Sequence, residues 1–376
     1  MPSPLIRLHD LGQQIWLDYI RRDILEDGTL ARLIADDGLA GMTSNPTIFQ
    51  QAIAETDLYD EDVRAAGADA EPQEVFERLA VADIRAACDH FRERYESSGG
   101  REGYVSIEVN PHLAKDTGGT LEEVHRLWRA VDRPNVMVKI PGTEEGLPAI
   151  RDALAAGVNI NITLLFSVQR YHAVMDAWFE AMEGRLDRGE PVGRVFSVAS
   201  FFVSRVDSKV DARLETLLER AGTEEEREHI RSFMGKIAID NARIAYSAYE
   251  ARFAGGGFDA LVEAGAAAQM PLWASTSTKN PEFPDVYYVE SLIAPGTVNT
   301  LPPDTIDAYR DHGDPAVRIR EDLNGAYERR EALAELGVEL STVTDELEEE
   351  GVRKFADSYD ALLEAIAEKQ RQVQPA

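Results

Sequence analysis

The chain has 376 residues, 44% of them hydrophobic, and a formal net charge of −29. That acidic balance excludes a binder of phosphate backbones or of anionic membranes, and no apolar run approaches the length of a membrane span. The single cysteine, Cys88, excludes an internal disulfide framework. Met1-Pro2-Ser3-Pro4 also lacks a basic-then-apolar signal region, so a cytoplasmic location is expected.

Short apolar runs alternate with amphipathic stretches, the pattern of parallel strands joined by helical crossovers. The predicted strands are 14–19, 39–44, 104–109, 136–140, 159–164, 194–201, 271–275 and 297–301. Eight such units fit an α/β fold closed as a (β/α)8 TIM barrel better than an open doubly wound sheet. No G-x-G-x-x-G follows the first strand, and the Gly255-Gly256-Gly257 triple reads as a loop. Additional helices are expected in the second-to-third and sixth-to-seventh strand connections, among them 72–95 and 233–253. Beyond the eighth strand, 302–376 reads as a C-terminal helical extension of one domain spanning 1–376. Within it the acidic run 345–350 reads as a solvated helix start, and 370–376 as a frayed tail.

The most informative residue is Lys139, one of seven lysines, embedded in the apolar run Val136-Met137-Val138-Lys139-Ile140-Pro141. A buried ammonium must be neutralised, paired or used, and a desolvated amine is the nucleophile that condenses with a carbonyl. A lysine that snorkels to solvent or pairs with a carboxylate explains the run alone equally well. Side-chain parity adds weight to the chemical reading. Residues two apart share a strand face, and this places Asp18, Asn45, Ser106 with Glu108, Lys139, and Asn159, Asn161 and Thr163 on inward faces. A lumen built for stability alone is rich in Val, Ile and Leu. Polar groups from five strands instead suggest a ligand at the carboxyl-end mouth, although a structural polar network is the competing explanation.

These motifs, taken in order, resemble the transaldolase family of lysine-dependent barrel enzymes. The resemblance rests on Thr43-Ser44-Asn45-Pro46, Ser106-Ile107-Glu108-Val109, Val138-Lys139-Ile140-Pro141, Asn161-Ile162-Thr163-Leu164-Leu165-Phe166, Ser200 through Phe202 to Arg205, and Trp273-Ala274-Ser275-Thr276. It covers nearly all of the chain and is closest to the longer bacterial branch. It implies transfer of a dihydroxyacetone unit between ketose and aldose phosphates, in the non-oxidative pentose phosphate pathway, without metal or other cofactor. By match of position Lys139 resembles the Schiff-base lysine. Glu108 resembles the carboxyl that works with Thr163 through a water, and Asp18 the acid/base group at the donor's C4 hydroxyl. Asn45 and Asn161 resemble the amides that hold the dihydroxyacetone hydroxyls, with Thr43 beside them. Ser200, Arg205 and Ser275 resemble phosphate-site residues, and Phe202 a residue of the pocket lining. Where much of the family has an arginine after the seventh strand, this chain has Lys279, read either as the second phosphate cation or as a surface lysine paired with Glu282 or Asp285. The implied partners are phosphorylated sugars, with neither nucleic acid nor membrane, and homo-oligomerisation is left open.

Three alternatives follow from the same residues. A fructose-6-phosphate aldolase would release free dihydroxyacetone, but such enzymes are shorter and usually carry glutamine and tyrosine where this chain has Glu108 and Phe202. A metal-dependent aldolase would need a ligand cluster, and the seven histidines form no closely spaced pair. An inactive barrel scaffold would not be expected to keep the lysine, carboxylates and amides together.

Overall fold

The computed structural model describes residues 3–373. Its strands are β1 (Gln13–Asp18), β2 (Gly41–Thr43), β3 (Tyr104–Glu108), β4 (Val136–Pro141), β5 (Ile160–Leu165), β6 (Ser197–Phe202), β7 (Met270–Ala274) and β8 (Thr297–Leu301). All neighbours are parallel, and β8 pairs back onto β1, so the sheet closes into a (β/α)8 barrel. Each predicted strand has its counterpart, with shifted ends. β2 keeps only three residues, because the chain turns at Asn45 to cap the helix Pro46–Ala54. β6 starts at Ser197 because a turn, Val195 N–H to Val192 C=O, occupies the residues before it.

Side chains alternate along β6, whereas β5 breaks its register with β6 between Ile162 and Leu165, where Leu164 has φ +60°. Phe201 of β6 faces outward, edge-on to Tyr171 and Trp273, while Ser200 and Phe202 line the mouth. In the parallel register Glu108 lies directly opposite Lys139, Lys139 opposite Asn161, and Asp18 opposite Thr43.

The added helices lie in the expected connections. The predicted helix 72–95 is two helices, Pro72–His90 and Arg92–Ser97, which meet at the buried Phe91. That predicted from 233 begins at Ile237, because residues 233–236 form turns through Gly235, whose φ is +69°. After β8 come Pro303–His312, Leu323–Glu335 and the 34-residue helix Leu340–Val373.

That last helix corrects two expectations. The acidic run 345–350 lies inside the helix rather than at its start, and three of its carboxylates are engaged. Glu346 and Glu350 pair with Lys209 at 2.8 and 2.5 Å, Glu346 also with Arg213, and Glu348 with Arg170. Nor does the tail fray at 370, since Gln370 is buried and its amide donates to Gly67 C=O and Ala70 C=O. Residues 374–376 lie outside the described part. The helix buries the stripe Val343, Leu347, Gly351, Phe355, Tyr359, Leu362 and Ile366, spaced for one face of a helix. Gly351 is needed there: a Cβ at that position would lie 2.9 Å from Leu164 Cδ2, so a side chain would hold the helix away from the end of β5.

At the barrel floor Trp16 fills the lumen, its indole N–H donating to Gln14 Oε1 at 3.1 Å. A Cβ on Gly41 would sit 2.5 Å from the Trp16 ring. Gly41→Ala is therefore expected to lower unfolding free energy by about 1–3 kcal/mol, the usual cost of overpacking. A denaturant titration reads this directly, and an unchanged midpoint would mean that Trp16 yields without cost.

Candidate active site

Lys139 reaches the lumen from β4 with 6% of its surface exposed. Its Nζ donates to Ser44 C=O at 3.3 Å and stands 3.6 Å from Glu108 Oε2. The Glu108 side chain is 5% exposed, and neither carboxyl oxygen has a hydrogen-bond partner in the protein. Burial is the main influence on that carboxyl. It outweighs the lowering effect of the Lys139 charge, Asp18 adds to it, and the pKa is pushed up to about 7. Thr163 Oγ1 is likewise buried and without a partner. An amine, a carboxyl and a hydroxyl thus face the lumen with hydrogen-bonding capacity unused, which marks a place for a reacting group.

The mouth above holds a cavity of about 400 Å³, whose walls include Lys139, Thr163, Asp18, Thr43, Asn45, Ser200, Phe202, Arg205 and Ser275. A sugar phosphate fits a space of that size. A second cavity of about 30 Å³ adjoins Glu108, Ser44, Asn45 and Asn110, and is large enough for a water molecule. Asn45 borders both spaces. Its Oδ1 accepts from Ile48 N–H as the N-cap of the next helix, leaving the amide Nδ2 as a donor.

The two carboxyls stand in different settings. Asp18 Oδ1 accepts from Thr43 Oγ1 at 2.7 Å, and Thr43 Oγ1 is 2.8 Å from Thr300 Oγ1. With Thr43's one proton committed to Asp18, Thr300 must be the donor in the second bond. Thr43 therefore orients Asp18, which keeps its other oxygen for the cavity.

Asn161 does not border the mouth cavity. It lies in the layer beneath, Nδ2 donating to Ser106 Oγ at 3.0 Å and Oδ1 accepting from Ser200 Oγ at 2.7 Å. Ser275 follows β7 in the left-handed region, φ +56°, and its carbonyl accepts from Ser204 N–H, so strand and following helix meet at the mouth. Arg205, in the first turn of the helix Ser204–Arg220, lies over the Phe202 ring at 5.0 Å. Burial lowers its pKa, with Asp18 opposing. Lys279 borders a neighbouring cleft with Ser204 and Asn280 rather than the main cavity. Burial, then the charges of Arg205 and Lys354, lower its pKa. Among the described residues it pairs with neither Glu282 nor Asp285, the latter being taken by His312 at 2.8 Å.

Sequence reasoning missed Lys354, Phe355 and Thr300, all of which line the cavity. Phe355 lies 5.8 Å from Lys139 Nζ and helps close the mouth. The only signal for it was the apolar stripe of the last helix, which gives no hint of what that stripe covers. No described group of three or more His, Cys, Asp or Glu is arranged to hold a metal ion.

A closed parallel barrel whose polar side chains converge at the carboxyl-end mouth has the build of a barrel enzyme. The chain belongs to the family described as Transaldolase/Fructose-6-phosphate aldolase, whose model it matches over residues 15–366. It is 48% identical to a transaldolase of Frankia alni over 373 residues, 98% of each chain. It is also 48% identical to one of Thermobifida fusca over 371 residues (98% and 99% of the two chains), and 42% to one of Trichodesmium erythraeum over 374 residues (99% and 98%). It is accordingly an enzyme, a transferase of the transaldolase type. No described helix is long and apolar enough to cross a membrane.

The Glu108 setting has a measurable consequence. Folding raises its pKa from 4.5 to about 7, so the folded chain keeps a proton that the unfolded chain releases. Its contribution to stability is fully present below about 4.5 and is lost as pH rises through about 7. Infrared difference spectra of wild type against Glu108→Gln should show a protonated-carboxyl band that disappears near pH 7. Disappearance near pH 4 would contradict the assignment.

Proposed function

We propose that the mouth transfers a dihydroxyacetone unit from a ketose phosphate, sedoheptulose 7-phosphate or fructose 6-phosphate, to an aldose phosphate, glyceraldehyde 3-phosphate or erythrose 4-phosphate, through a Schiff base on Lys139. What supports this most is the buried Lys139 amine 3.6 Å from a carboxyl of raised pKa, beneath a cavity of sugar size.

In this reading the amine attacks the ketone carbon C2, and Glu108, neutral below about pH 7, gives a proton to the carbinolamine hydroxyl, which leaves as water. Thr163 and the water-sized space beside Glu108 supply the relay. Asp18 takes the C4 hydroxyl proton, the C3–C4 bond breaks, and its electron pair passes into the iminium to give an enamine. The first aldose phosphate leaves. The enamine carbon then attacks the acceptor's aldehyde carbon, Asp18 returns the proton to the new C4 oxygen, and water releases the product from Lys139. Phe202 and Phe355 keep bulk water from protonating the waiting enamine.

Asn45 holds a hydroxyl of the three-carbon unit directly. Asn161 acts from the layer below, held by Ser106 and Ser200. Arg205 offers the phosphate a planar fork, Ser275 borders the same end, and Lys279 supplies a second positive charge. Ser200 serves the phosphate only by exchanging its bond to Asn161. Metabolism of sugar phosphates in the pentose phosphate pathway and a cytoplasmic location accord with this chemistry.

Borohydride reduction in the presence of fructose 6-phosphate should leave a covalent adduct on Lys139, identified by peptide mass spectrometry. Lys139→Ala should lose both the adduct and turnover while keeping its fold by circular dichroism. Transfer activity surviving in that variant would end the proposal. Rapid release of free dihydroxyacetone without an acceptor would instead favour the aldolase reading.

A further inference from the structure

We infer that Lys354, carried by the C-terminal helix, is a specificity-determining residue that completes the site for the substrate's phosphate group. The inference rests on the reading of phosphorylated sugars given above, and it adds to the mouth an element that lies outside the eight βα units.

Three cations converge on one side of the mouth from distant parts of the chain: Arg205 after β6, Lys279 after β7, and Lys354 from the helix Leu340–Val373. Lys354 and Arg205 both line the main cavity. Lys279 is close enough to both for their charges to disfavour its protonated form. Three like charges repel, and they persist together only where placement is imposed or a counter-ion arrives.

The placement is imposed. Gly351 lets the helix lie against Leu164 at the end of β5, and one turn later come Lys354 and the buried Phe355, the latter over Lys139. Thr47, at the start of the helix Pro46–Ala54, donates to Ser358 at 3.0 Å on the same stretch. Of the acidic residues that precede Lys354 on this helix, Glu346, Glu348 and Glu350 are paired with Lys209, Arg213 and Arg170. Among the described residues neither Lys354 nor Arg205 nor Lys279 has a carboxylate within 4 Å, although Asp and Glu outnumber Lys and Arg by 68 to 39. A phosphate carries about 1.5 to 2 negative charges near neutrality and accepts from several donors. It matches this arrangement better than any neutral hydroxyl would.

The residue type also fits. Six- and seven-carbon ketose phosphates attached at the same lysine place their phosphates one carbon apart. Arg205 is half fixed by its contact with the Phe202 ring. An exposed lysine on a four-carbon stem can follow the phosphate between the two positions.

The test compares glyceraldehyde 3-phosphate with glyceraldehyde as acceptor, in wild type, Lys354→Ala, Lys354→Arg and, as reference, Arg205→Ala. Lys354→Ala should cut the kcat/KM preference for the phosphorylated acceptor by about tenfold, mainly through KM, as expected for one partly exposed charge-assisted contact. Lys354→Arg should restore most of it. An unchanged preference in Lys354→Ala, beside a large loss in Arg205→Ala, would remove Lys354 while leaving the phosphate reading intact. If neither variant changes the preference, both fall.

Discussion

The structure depends on a single register: β3 lies against β4 so that Glu108 stands directly opposite Lys139. Because strand side chains alternate, a slip of one residue would turn Lys139 toward the surrounding helices and bring Val138 or Ile140 into the lumen. The closed barrel resists such a slip, since every strand is held on both sides and none is an edge. The same register sets Asn161 on the other flank of Lys139 and Thr163 beside Pro141. Burial then does the rest, raising the Glu108 pKa against the pull of the neighbouring ammonium. A carboxyl that would be an ordinary carboxylate at the surface becomes an acid able to give a proton near neutrality.

How much of this was legible follows from the range over which each feature is determined. The strands were legible because alternation is local: Ser106 and Glu108, or Asn161 and Thr163, announce an inward polar face within six residues. Lys139 was legible for the same reason, being a charge in an apolar run. The strand ends were less so, because a helix cap at Asn45 or a turn at Val195 decides them. Lys354 and Phe355 could not be assigned, since their periodicity shows only that the last helix buries one face, not that the face lies on the barrel mouth. The run 345–350 was misread because side chains on a solvated face and side chains paired with a neighbouring helix look the same in sequence. Its bonds to Ser106 and Ser200 keep Asn161 in the layer below the cavity, although strand parity treats it like Thr163.

The acidic surplus and an anionic substrate are compatible because the two fields act over different ranges. Solvent-exposed charges are screened within about 8 Å at physiological ionic strength. The net charge of −29 is therefore screened at a distance, whereas at the mouth the nearest charges include Arg205, with Lys279 behind it. Many of the surface carboxylates are also engaged. Glu346, Glu348 and Glu350 of the last helix pair with Lys209, Arg213 and Arg170, and such exposed pairs define its orientation more than they add stability. The helix is thereby fixed across the mouth by charges that no longer compete for the cations there.

Asp18 at the mouth and Glu108 beside Lys139 show how one fold separates two proton-transfer tasks. Asp18 accepts a hydrogen bond from Thr43, which is in turn fixed by Thr300, so one oxygen is held while the other remains an acceptor toward the cavity. Glu108 receives no hydrogen bond from the protein and lies where water is largely excluded, so its neutral form is favoured. Exchanging these settings would undo both roles: an acid at the C4 end could not take up a proton, and a fixed carboxylate beside Lys139 could not release one to a departing hydroxyl. The division arises from the surroundings and not from the residue types, since either carboxyl could serve in either role if moved. It requires only that β1 ends where Thr43, backed by Thr300, holds Asp18, and that β3 ends with Glu108 buried and without a hydrogen-bond partner.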